Sequence, residues 1–176
     1  MKAVAGLMAV ALLSAGGAAQ AAGSLEARIT ATEDRQAIEQ LVAGDYVRAL
    51  DGHQWAAYAA TFTEDGELSV FNQTMKSRAA ILTFFTTPRP TLGPDVKISH
   101  IISNLSYRIE GANASGGAYW QDIGMAPNGL PGVLSAGHYE DVLRKVGGHW
   151  RFARRTIVTD FAAPATPAPA ASAAPK

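Results

Sequence analysis

The chain has 176 residues with 15 Lys plus Arg against 15 Asp plus Glu, so its formal charge is zero and no polyanion-binding surface is implied. Cysteine is absent, which excludes disulfides, thiolate catalysis and cysteine-ligated metals. Once the two ends are set aside, what remains is the size of one domain with one hydrophobic core.

The first 21 residues read as an export signal: Lys2, an apolar run from Ala3 to Leu13, then small residues leading to Ala19-Gln20-Ala21. That run is shorter than the roughly 20 apolar residues needed to span a bilayer. Cleavage near Ala21 would place the mature chain in the periplasm or outside the cell. A domain is expected over 24–161. Residues 162–176 are almost entirely Ala, Pro, Ser and Thr, a composition that buries too little apolar surface to offset its ordering entropy, and a flexible tail is expected there.

Thr32 is a candidate N-cap for a helix whose apolar stripe is Ile38, Leu41, Val42, Tyr46, Ala49 and Leu50, with Gly52 as its stop. A short helix carrying Trp55, Tyr58, Ala59 and Phe62 follows, then a strand over 67–71. A third helix is expected to start after Ser77, burying Ile81, Leu82 and Phe85 before Pro88. From there the period changes to alternation, and strands are predicted over 96–109, 115–125, 133–146 and 149–161. Gly111 to Asn113 and Gly147-Gly148 mark tight turns. The apolar phase of the first long strand slips at Ser103 and Asn104, which predicts a β-bulge. Helices first and strands afterwards indicate an α+β fold with a mostly antiparallel sheet.

Three polar residues stand in apolar surroundings: Tyr46 and Asp51 at the end of the first helix, and His100 on a strand face shared with Val96, Ile98 and Ile102. An imidazole placed there calls for a partner, and a carboxylate at the negative end of a helix calls for a donor. If Asp51 accepts from one ring nitrogen, the other is left as a base. Asn104, two strand repeats past His100, could orient a ligand. Trp55, Phe62, Phe85, Tyr119, Trp120 and Tyr139 could wall an apolar pocket for a small hydrophobic molecule. His138, Glu140 and Asp141 match no metal-ligand spacing, and neither a metal nor a cofactor is expected.

The stretch from Tyr46 to Trp55, Phe62-Thr-Glu-Asp65, His100 with Asn104, Tyr139-Glu-Asp141 and Gly148-His-Trp150-Arg-Phe152 together resemble the SnoaL-like branch of the nuclear transport factor 2-like superfamily. The similarity runs from about Thr32 to Thr159. It implies a cone-shaped curved sheet packed against N-terminal helices, possible homo-oligomers, and a cavity like that of the scytalone and bile-acid 7α-dehydratases, which use an Asp and His pair without a cofactor. Tyr46, Asp51 and His100 fall on the catalytic positions of the bile-acid enzyme. The second tyrosine that both enzymes carry in the first strand is replaced by Val70 or Phe71, and the bile-acid enzyme's C-terminal arginine has Thr159 nearby instead. Proton transfer by an Asp51 base, as in ketosteroid isomerases, and ligand binding without catalysis are the alternatives.

Overall fold

A computed structural model describes residues 12–87, 98–126 and 129–162, with side chains from residue 24 onward. Residues 1–11 of the predicted export signal, and the predicted tail apart from Ala162, lie outside the described residues. Two compact units divide at Gln36 and Ala37, the first being the N-terminal part of helix α1 (Leu12–Glu39). No described helix is long and apolar enough to cross a membrane.

Thr32 does not begin a helix. It lies inside α1, where its hydroxyl donates back to the carbonyl of Arg28 at 2.9 Å, so the Thr-capped start read from the sequence is corrected to a continuous helix. Beyond α1 comes a π-helical turn, Gln40–Asp45, and then α2 (Tyr46–Asp51). The wider turn is visible in the bond from the Tyr46 N–H to the Leu41 carbonyl, five residues back. It keeps Ile38, Leu41, Val42, Tyr46 and Ala49 all buried. Gly52 closes α2 with its N–H on Arg48 and Leu50, and His53 takes the left-handed conformation that follows (φ 53°).

Helix α3 is Trp55–Ala60 and helix α4 is Arg78–Thr86. Ser77 caps α4 by accepting from the Ala80 N–H at 3.2 Å. Strand β1 begins at Phe62, so Phe62 belongs to the sheet and not to the preceding helix. It continues to Val70, where Phe71 and Asn72, both at positive φ, form the two-residue turn into β2 (Gln73–Lys76). That hairpin was not foreseen, because Phe71 is an unusual occupant of a conformation that favours Gly, Asn and Asp.

The remaining strands are β3 (Ile98–Glu110), β4 (Asn113–Met125), β5 (Pro131–Val146) and β6 (His149–Ala162), each within two residues of the sequence prediction. The sheet order is β2-β1-β6-β5-β4-β3; β1 runs parallel to β6 and all other pairs are antiparallel. The sheet is open, not closed into a barrel. Gly111 (φ 60°), Gly147 (φ 58°) and Gly148 (φ 83°) provide the left-handed turns that join the strands. Helices α2 to α4 cover one face, and Tyr46, Tyr58, Phe62 and Phe152 form an aromatic centre with ring separations of 4.8 to 5.9 Å.

The bulge predicted near Asn104 is present. Ser106 opposes Gly117 but Ser103 opposes Tyr119, so β3 spends three steps where β4 spends two. Asn104 sits there with φ 53°. Without the extra residue His100 would face Ile123; with it, His100 faces Asp122.

Candidate active site

Strand β3 is the edge of the sheet, so alternate N–H groups on its outer side have no ladder partner. The carboxylate of Asp51, the last residue of α2, fills one of those positions. It accepts the backbone N–H of His100 on both oxygens at 3.3 Å and contacts the ring nitrogen Nδ1 of His100 at 2.6 Å. The pairing expected from the sequence is therefore present, made by a carboxylate that also anchors the helix to the strand.

The other ring nitrogen is not left as a base without a partner, the arrangement the sequence implies; it meets a second carboxylate. Nε2 of His100 lies 3.1 Å from Oδ1 of Asp122, an oxygen that is buried and has no well-aligned hydrogen-bond donor. The second oxygen of Asp122 accepts from the Ser135 hydroxyl at 2.6 Å. One cross-strand row, His100, Asp122, Ser135 and Ala162, thus runs across four strands, and all four residues line one cavity. With a proton on Nε2 the ring donates to Asp122. Without it, two lone pairs face each other. Each ring nitrogen thus lies within reach of a carboxylate oxygen, a geometry suited to acid–base work.

The cavity has a volume of about 210 Å³, and Tyr46, Tyr58, Phe85, Trp120, Tyr139 and Ile157 wall its apolar part. The hydroxyls of Tyr46 and Tyr58 are 2.9 Å apart, so one donates to the other and the second proton is available to a ligand. Burial, the neighbouring Tyr46 and the hydrogen bond to it push the Tyr58 phenol well above its ordinary value of 10.0, which keeps it a donor. Burial likewise raises Tyr139, with Tyr46 adding to the effect.

Beneath these rings lies a cation that the sequence reading missed. The guanidinium of Arg155 is fully buried and stacked on Tyr139, Phe152 and Tyr46 at 3.8, 3.9 and 4.3 Å from their ring centres. It donates to both oxygens of Asp141 at 2.8 and 2.7 Å, and Tyr107 donates to the same carboxylate at 2.5 Å. Burial alone would lower the guanidinium's affinity for its proton, but the charge and hydrogen bonds of Asp141, with Tyr46 and Tyr139 adding to them, together make the net shift upward.

Other sequence candidates fall elsewhere. Asn104 is exposed at the bulge and does not line the cavity; its place there fixes register instead. Tyr119 is 54% exposed, because it alternates with Trp120 and takes the outer face. Phe62 is fully buried in the core and Trp55 stacks behind Phe85 at 5.1 Å, so neither reaches the cavity wall. Phe85, Tyr139 and Trp120 do. Alternation also splits the His138, Glu140 and Asp141 group: His138 meets Asp160 at 3.2 Å on the outer face, whereas Asp141 turns inward to Arg155. Among the described residues no three His, Asp or Glu side chains are arranged to hold a metal ion.

The profile of the SnoaL-like domain family matches residues 30–156. The chain belongs to this family. No curated protein matches it. Among solved structures it is similar to a nuclear transport factor 2-like protein with a cystatin-like fold from Novosphingobium aromaticivorans, at 26% identity over 77% of this chain and 88% of that one, with a TM-score of 0.69. It is also similar to a candidate scytalone dehydratase from the same organism, at 27% identity over 84% and 99% of the two chains and a TM-score of 0.61. The beta subunit of a candidate aromatic-ring-hydroxylating dioxygenase, again from that organism, shares the fold at 21% identity over 75% and 92%, with a TM-score of 0.64.

Proposed function

We propose that this SnoaL-like protein is a cofactor-free lyase that removes water from a small hydrophobic hydroxyketone. The observation that carries this reading is the His100 ring held between Asp51 and Asp122 on the wall of an aromatic cavity. Nε2 of His100 leaves Asp122 to take the proton from the carbon beside the ketone, and Asp51 at Nδ1 stabilises the imidazolium that forms. The tyrosine hydroxyl pair donates to the ketone oxygen as it becomes an enolate. The imidazolium then gives its proton to the departing hydroxyl as the C–O bond breaks and the C=C bond forms. One water leaves and the site returns to its starting protonation.

The similarity to a candidate scytalone dehydratase supports the class of reaction. Export of the mature chain after cleavage near Ala21 is part of the same proposal, and N-terminal sequencing of secreted protein tests it. The test of chemistry uses 3-hydroxy-1-tetralone, which loses water to give 1-naphthol, a fluorescent product. His100→Ala is expected to cut turnover by about 10²–10⁴ while 1-tetralone still binds. Binding without turnover in the native protein would leave a ligand carrier. Turnover that survives His100→Ala would move the base to a carboxylate.

A further inference from the structure

A second volume, about 690 Å³, opens beside the cavity between the β1–β2 hairpin and the C-terminal half of β6. Val70, Phe71, Ile157 and Thr159 line both, so the two lie side by side against the same residues. The cavity alone falls below the ~300–1,000 Å³ typical of small-molecule sites, and a ligand larger than one or two rings must extend past it.

The chemistry of the groove is distinct. None of its ten lining residues is charged, and Ser69, Asn72, Gln73, Thr74, Thr156 and Thr159 supply hydroxyls and amides. The ladder between β1 and β6 ends at Ser69 and Thr156, yet β6 continues to Ala162 paired on its β5 side. Among the described residues, the other edge of β6 past Thr156 meets no strand. Alternate main-chain amides and carbonyls there face the groove. Between the two volumes Phe71 holds a left-handed conformation (φ 52°) that is unfavourable for a bulky residue, strain of the kind retained at ligand clamps.

We infer that the groove is a subsite for an uncharged, hydrogen-bonding chain attached to the ring that reacts in the cavity. This rests on the cavity being the reaction chamber. The substrate is thus bipartite: an apolar hydroxyketone head and a neutral polar extension that lies along the free edge of β6. A carboxylate or phosphate at the same place would find no cation.

Three probes test it, read by tryptophan fluorescence: 1-tetralone, 1-tetralone bearing an N-(2-hydroxyethyl)carboxamide chain, and the same length of chain ending in a carboxylate. The amide chain is expected to improve affinity about tenfold, the worth of one or two net hydrogen bonds, and the carboxylate chain to give no gain. Gln73→Trp and Val158→Trp fill the groove from opposite sides, and in each the ratio of the first two affinities should fall to about twofold or less. Circular dichroism confirms that each variant is folded. Equal affinities in the native protein, a gain that persists in both variants, an equal gain from the carboxylate, or no binding by any probe overturns the inference. Turnover of 3-hydroxy-1-tetralone separates the two proposals: turnover with no gain from the chain removes the groove alone, and gain without turnover removes the lyase reading alone.

Discussion

Asp141→Asn replaces one oxygen by an amide nitrogen and strands a cation. The side chains of Arg155 and Asp141 are both fully buried, and the carboxylate receives two guanidinium bonds and the Tyr107 hydroxyl. One guanidinium nitrogen, Nη1, already lacks a hydrogen-bond partner, so no spare acceptor stands by to replace the lost charge. Removing one member of such a pair costs about 3–5 kcal/mol, a large part of the roughly 5–15 kcal/mol that holds a domain together. Urea denaturation measures it as a lower midpoint at unchanged slope. The paired change Asp141→Leu with Arg155→Met, which removes both charges, should recover at least about half of that loss. A cost below about 1 kcal/mol for Asp141→Asn, or no recovery in the double variant, would refute the account of the buried pair. The consequence reaches the cavity, since Tyr46 and Tyr139 both rest on the same guanidinium.

Asp122→Asn should lower turnover by about 10²-fold or more while Ser135→Ala, which removes a single hydrogen bond to the far oxygen, costs less than about tenfold; kcat for 3-hydroxy-1-tetralone decides. Ser77→Ala should destabilise the domain by about 1 kcal/mol through the lost cap of α4, whereas Ser77→Gly should be close to neutral because Ser77 has φ 109°, a glycine-like conformation. Tyr58, Tyr107 and Tyr139 all have raised phenol values, so the folded state holds their protons more tightly than the unfolded chain does. Stability from this source is complete below pH 10.0 and declines as pH rises above it; absorbance at alkaline pH should show these phenols ionising together with unfolding, and ionisation near their ordinary value in the folded state would contradict the burial. At the bulge, Asn104→Gly should be tolerated and Asn104→Val should cost about 1–2 kcal/mol, with a thermal shift as the readout.

The sequence carried the strands because their alternation and glycine turns are local signals, and it carried the bulge because a one-residue slip in apolar phase is visible along a single strand. The Asp51 and His100 pair was legible for a similar reason: each residue is out of place in its own apolar setting. Asp122 was not, although it follows Ala118 and Trp120 at period two on the inward face of β4. Its importance depends on register, and register depends on counting back through the turn at Gly111 and across the bulge. Arg155 was hidden in the run Arg151 to Arg155, where composition suggests a solvated strand: plain alternation from Phe152 would bury Arg154, and it is the register shift between the Leu143–Phe152 and Val142–Arg154 pairs that turns Arg155 inward to the distant Asp141. The π-helical turn and the β2 strand left no periodic trace, the first because it is one inserted residue and the second because its turn is occupied by Phe71.

The parallel contact between β1 and β6 joins Phe62, in the first strand, to Phe152, in the last. Neighbouring hairpins can zip from their turns, but this pairing must wait for the whole intervening chain to be gathered, so its loop-closure entropy is met late in folding. The cavity draws Val70 from β1 and Ile157 from β6, and it therefore comes into existence only when that last seam closes. A ligand of that cavity would report on the completed fold, and a small molecule added during refolding should trap the finished state without hastening its arrival.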